Sequence, residues 1–287
     1  MMVAMKTPLF AAAVLAVLLA KATAQTSWVY DFGTGTGSFT NANSASTNFL
    51  PAPPPDGGTA RVRVGTNGGG FSLVNPGDGS YLVGHASSGT GTSIDKMSIF
   101  DFASPTTGFS VKFDVKLSGA SDGAWSFFAG SGASYGNNAV FANSQTFAGL
   151  RWSFTAGGGI LSSNRSGSTW QSLSQVGFAQ DTPFTVEVLG NNGATPIIYR
   201  ESFTLNPGTY DLWVGEVLAV SGLGKAGLAS NNAIDSFMFY GENSTGNAAT
   251  IELDNIVYAN HVVPEPSTYA LLALVAAATA VFIWRRR

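Results

Sequence analysis

Between Phe109 and Leu117 the chain alternates for nine residues without a fault. Phe109, Val111, Phe113, Val115 and Leu117 fall on one side, and Ser110, Lys112, Asp114 and Lys116 on the other. Strict period two marks a strand with one dry and one wet face, and such a strand needs partners beside it and a second layer over its dry face. The chain supplies candidates on both sides: Trp28–Phe32, Arg61–Val64, Phe71–Val74, Tyr81–Gly84, Met97–Phe102, Ala124–Ala129, Ala139–Ala142, Phe147–Phe154, Phe184–Leu189, Ile197–Leu205, Tyr210–Val214, Ser236–Tyr240 and Thr250–Tyr258. In the last of these, Ile251 and Leu253 alternate with Glu252 and Asp254 until Asn255 breaks the phase, which reads as a bulge.

Short runs separated by Gly, Ser, Asn and Pro, with charged residues at only 11%, leave little material for soluble helices. The expected fold class is all-β, an antiparallel β-sandwich or jelly roll whose inner faces bury many of the 20 Phe residues. A parallel β-helix is the competing architecture for a Gly- and Asn-rich chain, but no fixed repeat register supports it. Two segments read as loops. Asn41 to Gly58 carries Pro51, Pro53, Pro54 and Pro55, and Gly157 to Ser168 is polar and rich in Gly and Ser.

The two ends differ from this middle. Lys6, an apolar run from Pro8 to Ala20 and the small-x-small site Ala22-Thr23-Ala24 form the three parts of a signal peptide. Cleavage after Ala24 by signal peptidase, following export through the Sec translocon, is expected. At the other end Val-Pro-Glu-Pro-Ser-Thr precedes an apolar run from Tyr269 to Trp284 and then Arg285, Arg286 and Arg287. Sixteen residues of helix span about 24 Å, workable across a ~30 Å hydrocarbon core with aromatic and Arg anchors. The arginines read as a stop-transfer block on the cytoplasmic side. The expected division is 1–24 signal peptide, 25–260 β-sandwich ectodomain, 261–268 linker, 269–284 transmembrane helix and 285–287 basic tail.

Setting aside Lys6, Lys21, Arg285 to Arg287 and Glu265 leaves nine basic and sixteen acidic residues, a net charge of −7 for the exported part. That balance speaks against nucleic acid as a partner. Without cysteine the chain holds no disulfide, catalytic thiol or thiolate metal site.

Chemistry-bearing residues are sparse. The two histidines, His85 read in a turn and His261 in the linker, belong to no Ser/His/Asp or His-x-x-x-His pattern. Gly33 to Gly37, Gly68 to Gly70 and Gly157 to Gly159 lack the Lys-Ser/Thr and following helix of a phosphate loop, and read as turns. Oxygen ligands gather around Asn75 to Asp78, at Asp122 and around Asn231 to Asp235, the kind of loop a structural calcium uses, although no full calcium-loop pattern is present. No resident cofactor or metal is expected. A glycan surface needs an exposed aromatic platform among polar groups. Trp125, Trp152 and Trp213 have the core as their default home, whereas Trp170, set among Ser168, Thr169, Gln171 and Ser172, is the candidate sugar contact.

The order and content of the C-terminal segment resemble the PEP-CTERM sorting signal of exported proteins from polysaccharide-producing Gram-negative bacteria. By that resemblance Pro264, Glu265 and Pro266 are the recognition motif for exosortase, a membrane-embedded protease or transpeptidase. The protein would then be anchored in the inner membrane before processing and end at the cell surface or in an exopolysaccharide matrix, as a structural or biofilm component. More weakly, Phe184-Thr-Val-Glu-Val-Leu, Tyr210-Asp-Leu-Trp-Val-Gly and Ile251-Glu-Leu-Asp-Asn-Ile-Val-Tyr resemble late strands of concanavalin-type, laminin-G-like sandwiches. That family includes lectins and hydrolases. Glu252 and Asp254 are similar to the first two positions of the Glu-x-Asp-x-x-Glu strand of laminarinase-type hydrolases, but the third acid is replaced by Val257. Retaining hydrolysis needs two facing carboxyls about 5 to 5.5 Å apart. The expectation is therefore a non-enzymatic protein, with the two acids a wet-face pair on an edge strand. A lectin-like binding module is the alternative, and a glycoside hydrolase the more remote one.

Overall fold

The computed structural model describes residues 25–136 and 142–262. The signal peptide with Ala22 and Ala24, the candidate strand from Ala139 up to its last residue, the sorting motif at Pro264 to Pro266, the apolar run from Tyr269 and the terminal arginines all lie outside the described residues. Within them the chain forms nineteen strands. These are β1 (Ser27–Tyr30), β2 (Gly37–Phe39), β3 (Ser44–Ala45), β4 (Thr59–Val64), β5 (Gly70–Val74), β6 (Tyr81–His85), β7 (Asp95–Phe100), β8 (Gly108–Ser118), β9 (Ala124–Gly130), β10 (Thr146–Phe154), β11 (Ile160–Ser166), β12 (Thr169–Ser172), β13 (Pro183–Asn191), β14 (Ile197–Tyr199), β15 (Phe203–Leu205), β16 (Thr209–Val214), β17 (Val217–Gly224), β18 (Ser236–Glu242) and β19 (Thr250–Ala259). No described helix is long and apolar enough to cross a membrane.

The strands make the expected antiparallel sandwich of jelly-roll type. One sheet runs β17-β16-β13-β8-β19-β6-β5-β2, with β1 added beside β19; the other runs β12-β11-β10-β9-β18-β7-β4-β3. The faultless strand of the sequence, β8, lies near the middle of the first sheet between β13 and β19. Its five apolar side chains are all buried against the second sheet, where Phe113 meets Phe127 at 5.2 Å and Phe239 at 4.8 Å between ring centroids. Burial of a ring of this size contributes roughly 2–3 kcal/mol. Trp125 fills the space left by two glycines. A Cβ on Gly84 would stand 2.8 Å from its ring, as would one on Gly241, and its Nε1 donates to the Ala249 carbonyl at 3.0 Å.

Both ends of the described chain close on β19. Its first half pairs with β6 and its second half with β1, Ser27 lying opposite Ala259. Thr26 and Asn260 then exchange hydrogen bonds of 2.8 and 3.0 Å. A short hairpin, β14–β15, lies on the outer face of the first sheet, where Tyr199 and Leu205 pack with Leu189, Trp213 and Val262.

Several expectations require correction. The stretch from Gly157 to Ser168 is mostly strand β11, not a long surface loop. Its inward positions are Ser162 and Asn164 while Leu161 is exposed, so its polarity runs opposite to the usual pattern. The proline segment is a loop except for the two-residue β3. Ile197 to Leu205 is two strands, because Arg200 and Glu201 take left-handed φ of 43° and 62° and turn the chain. β1 stops at Tyr30, since Phe32 has φ 57°. β19 is a central strand, not an edge, although it is the last in sequence. The bulge at Asn255 is present, with the register against β8 shifting between Asp254 and Val257. His85 ends strand β6 instead of standing in a turn. His261 is half-buried and Val262 buried, so the fold extends two residues past the expected boundary at 260.

Candidate functional site

Charge is segregated between the two outer faces. On the first sheet, Asp114, Glu187, Asp211, Glu252 and Asp254 project away from the core among Lys112 and Lys116. Register places Lys116 opposite Glu252, joined at 2.6 Å, and Asp114 opposite Asp254. A cavity of about 190 Å³ lies here, lined by Tyr81, Asp114, Lys116, Glu252 and Asp254 among others. Burial pushes the Asp254 carboxyl up, and Asp114, Asp31 and Asp78 add to the shift, opposed by the Asn255 backbone N–H. Asp114 accepts hydrogen bonds from Thr185 at 2.6 Å and Asn255 at 2.9 Å. Glu252 and Asp254 are thus neighbours along one wet face, the first tied to a lysine and the second beside another acid.

The second sheet presents the opposite chemistry. Pairing aligns two rows across its outer face. One runs Arg63, Lys96, Tyr240, Ser126, Arg151, Ser163 and Ser172, as the opposed pairs of β4, β7, β18, β9, β10, β11 and β12 dictate. The next brings Arg61, Ser98, Met238, Phe128, Gly149, Arg165 and Trp170 into line. Five of the nine basic residues between Gln25 and Trp284 stand on this face. Of the carboxylates in its described strands, Glu242 is the one that faces the same way, 3.3 Å from Arg151.

At its β7–β18 end this face is closed. Lys96, Phe128 and Tyr240 are buried, the short turn Ala133–Tyr135 packs over β7 and β18, and Arg61 donates to the Gly136 carbonyl at 3.0 Å. Burial lowers the Lys96 ammonium to about 7, and Arg63 and Arg61 push the same way. Phe128 and Tyr240 stack in parallel with ring centroids 5.5 Å apart.

At the β10–β12 end the face opens. Trp170 is half-buried on the edge strand β12, among exposed Thr169, Gln171 and Ser172. Two guanidinium groups lie over its ring, Arg151 at 5.8 Å and Arg165 at 5.6 Å from the centroid, and Phe128 packs at 5.8 Å. Such contacts are worth about 0.5–1 kcal/mol each where solvent reaches them. Arg165 donates through Nε to Asn143 at 3.2 Å. Burial pushes Glu242 up, and Arg151 opposes the shift.

The remaining candidates separate. Trp125, Trp152 and Trp213 are buried. Asn75 caps its own turn through Gly77, Asp122 accepts from Thr245, and Asp235 accepts from Ser131 and Ser236. Among the described residues no group of three or more His, Asp or Glu side chains could hold a metal ion. What the sequence reading missed is the pair of arginines around Trp170. Arg165 lies in the stretch read as a loop, so the alternation that would have put it on the same face as Arg151 was invisible.

No curated protein matches this chain in sequence. Among solved structures, the Emp47p carbohydrate recognition domain is similar at 12% identity, over 82% of this chain and 95% of that one, with a TM-score of 0.44. The botulinum neurotoxin serotype G binding domain is similar at 11% identity and a TM-score of 0.42, over 77% of this chain; the match spans about half, 47%, of that one. The Emp46p carbohydrate recognition domain in its potassium-bound form follows at 10% identity and 0.39, over 64% of this chain and 84% of that one. None of these likenesses says what this chain binds. The C-terminal segment gives the functional assignment: residues 262–287 match the PEP-CTERM protein-sorting motif, and the chain is therefore that of an exported protein carrying this signal.

Proposed function

We propose that this is a non-enzymatic protein of the cell surface or extracellular matrix of a Gram-negative bacterium, processed by exosortase at Pro264-Glu265-Pro266. The match of residues 262–287 to the sorting motif carries this reading. Export would proceed through Sec, with signal peptidase cutting after Ala24. Two features of the fold bear on where the chain enters and leaves the sandwich. Thr26 is held against Asn260, so the described chain begins and ends side by side. Val262 is buried beside Trp213, which leaves a single residue between the packed fold and Pro264. Prolines on both sides of Glu265 disfavour a helix there and keep the motif extended for a protease.

The non-enzymatic part of the proposal draws on the acid pair. Glu252 is held by Lys116 and Asp254 lies beside Asp114, which supports reading the two acids as a wet-face pair. A second reading, a glycan-binding surface at Trp170, is favoured by the half-exposed indole on an edge strand among hydroxyl and amide groups. Exopolysaccharide is the partner in that reading.

Replacing Pro264, Glu265 and Pro266 together with alanine tests the sorting proposal in a host that has exosortase. We expect an unchanged far-UV spectrum and protease resistance for the ectodomain, with full-length protein retained in the membrane fraction. Processing of the variant at the wild-type rate would overturn the assignment of the motif.

A further inference from the structure

The sequence gives the exported part a net charge of −7, which by itself would make an acidic ligand a poor partner. The fold reverses that reading locally. Arg61, Arg63, Lys96, Arg151 and Arg165 share one sheet face with a single strand carboxylate, Glu242. Apart from the inward-facing Asp95, the other acidic strand residues collect on the opposite side of the sandwich, at Asp114, Glu187, Asp211, Glu252 and Asp254.

The open end of the basic face has the chemistry of a sugar site with a charge requirement. Trp170 offers a partly exposed indole, and Arg151 and Arg165 stand within 6 Å of its ring. Arg151 is held at 3.3 Å by Glu242, and its Nε is buried without a hydrogen-bond partner. Arg165 is fixed through Nε to Asn143 and pairs with no carboxylate among the described residues. Guanidinium groups pair with carboxylates in two-pronged geometry, and holding them in advance reduces the entropy lost on binding. A ligand that stacks a sugar ring on the indole while placing a carboxylate at Arg165 would use both features. A neutral polysaccharide would leave the cationic groups unused.

We propose that the surface formed by Trp170, Arg165 and Arg151 at the β10–β12 end binds an anionic, uronate-containing polysaccharide. This rests on the glycan reading of Trp170 and adds the sign of the ligand's charge and the residues that select it.

The test uses the full-length chain solubilised in detergent, with polygalacturonate and neutral dextran as probes. We expect binding to polygalacturonate that weakens about tenfold or more between roughly 50 and 500 mM salt, and none to dextran. Trp170→Ala and Arg165→Gln should each weaken it about fivefold or more while keeping a cooperative urea transition, and Lys112→Gln on the opposite sheet should leave binding unchanged. Arg165→Lys should recover only part of the loss, since a lysine keeps the charge and not the forked geometry. Equal, salt-insensitive binding to both polymers would overturn the charge requirement and leave the glycan reading standing. Binding to neither polymer would overturn both readings, and polygalacturonate binding unaffected by the Trp170 and Arg165 variants would overturn the location. The C-terminal mass of the protein reports sorting separately from all of these outcomes.

Discussion

Asp95 is an acid whose chemistry the fold strains. It opens β7 with its side chain turned inward, fully buried, and accepts from the backbone N–H groups of Gly65 and Gly69 at 2.7 Å and of Gly70 at 3.3 Å. The carboxylate thereby fastens the turn that joins β4 to β5. Burial outweighs these donors and the nearby Arg63, and the carboxyl is pushed up to about 6. An acid whose pKa is raised on folding holds its proton more tightly in the native state. Its contribution to stability is therefore full below the ordinary carboxylate range, near 4, and is lost as pH rises through about 6. Two units correspond to about 3 kcal/mol. Glu187, Glu242 and Asp254 are shifted upward as well and add slope of the same sign, whereas His261 is shifted down by burial and works the other way near neutrality. The difference between wild type and Asp95→Asn isolates the one group. Unfolding free energies from urea titrations at pH 4, 5 and 6.5 should fall with rising pH by about 2–3 kcal/mol more in the wild type. Equal slopes in the two proteins would refute the assignment. Nothing in the sequence marked Asp95, because a buried carboxylate serving backbone amides has no pattern of its own.

At the scale of the element, β19 shows how one residue sets the phase of a strand. Ile251 and Leu253 face the core before the bulge, and Ile256 and Tyr258 face it after, all four buried. Without the extra residue Asn255, which has φ 48° and donates to Asp114, strict alternation would turn Ile256 and Tyr258 outward. Deleting Asn255 should therefore keep all four side chains inward and cost no more than about 2 kcal/mol, read as a cooperative urea transition with unchanged m. Deleting Val257 keeps the bulge but turns Tyr258 out of the core. We expect loss of about 3–5 kcal/mol, or failure to fold. Equal damage from the two deletions would show that the bulge does not set the phase. This break was legible in the sequence because apolar residues bracket it. β11 and β17 were not legible. β11 buries Ser162 and Asn164, Asn164 bonding the Tyr210 hydroxyl, while Leu161 is exposed. β17 leaves Val217 exposed and buries Leu223. With polar residues at the inward positions of β11, the hydrophobic period from which strands are read is missing there.

For the whole molecule, what could be read from sequence was the fold class, most of the strands and the C-terminal signal, since each depends on local pattern. The arrangement of charge was not legible, because it arises from pairing between strands far apart in the chain. Arg61 and Arg165 come onto one face only through the order β12-β11-β10-β9-β18-β7-β4. The same pairing brings the two ends of the described chain together, with Thr26 against Asn260 and β1 beside the second half of β19. A sandwich closed in this way sits directly beside its sorting motif, with Val262 packed on Trp213 and Pro264 two residues further on. The account as a whole depends on that motif being acted upon. The most direct measurement is the intact mass of the protein recovered from the surface of cells that possess exosortase. The account requires a chain beginning at Gln25 that has lost Arg287 and the apolar run after the Pro-Glu-Pro motif. Recovery of a surface protein that still ends in Arg287 would contradict it.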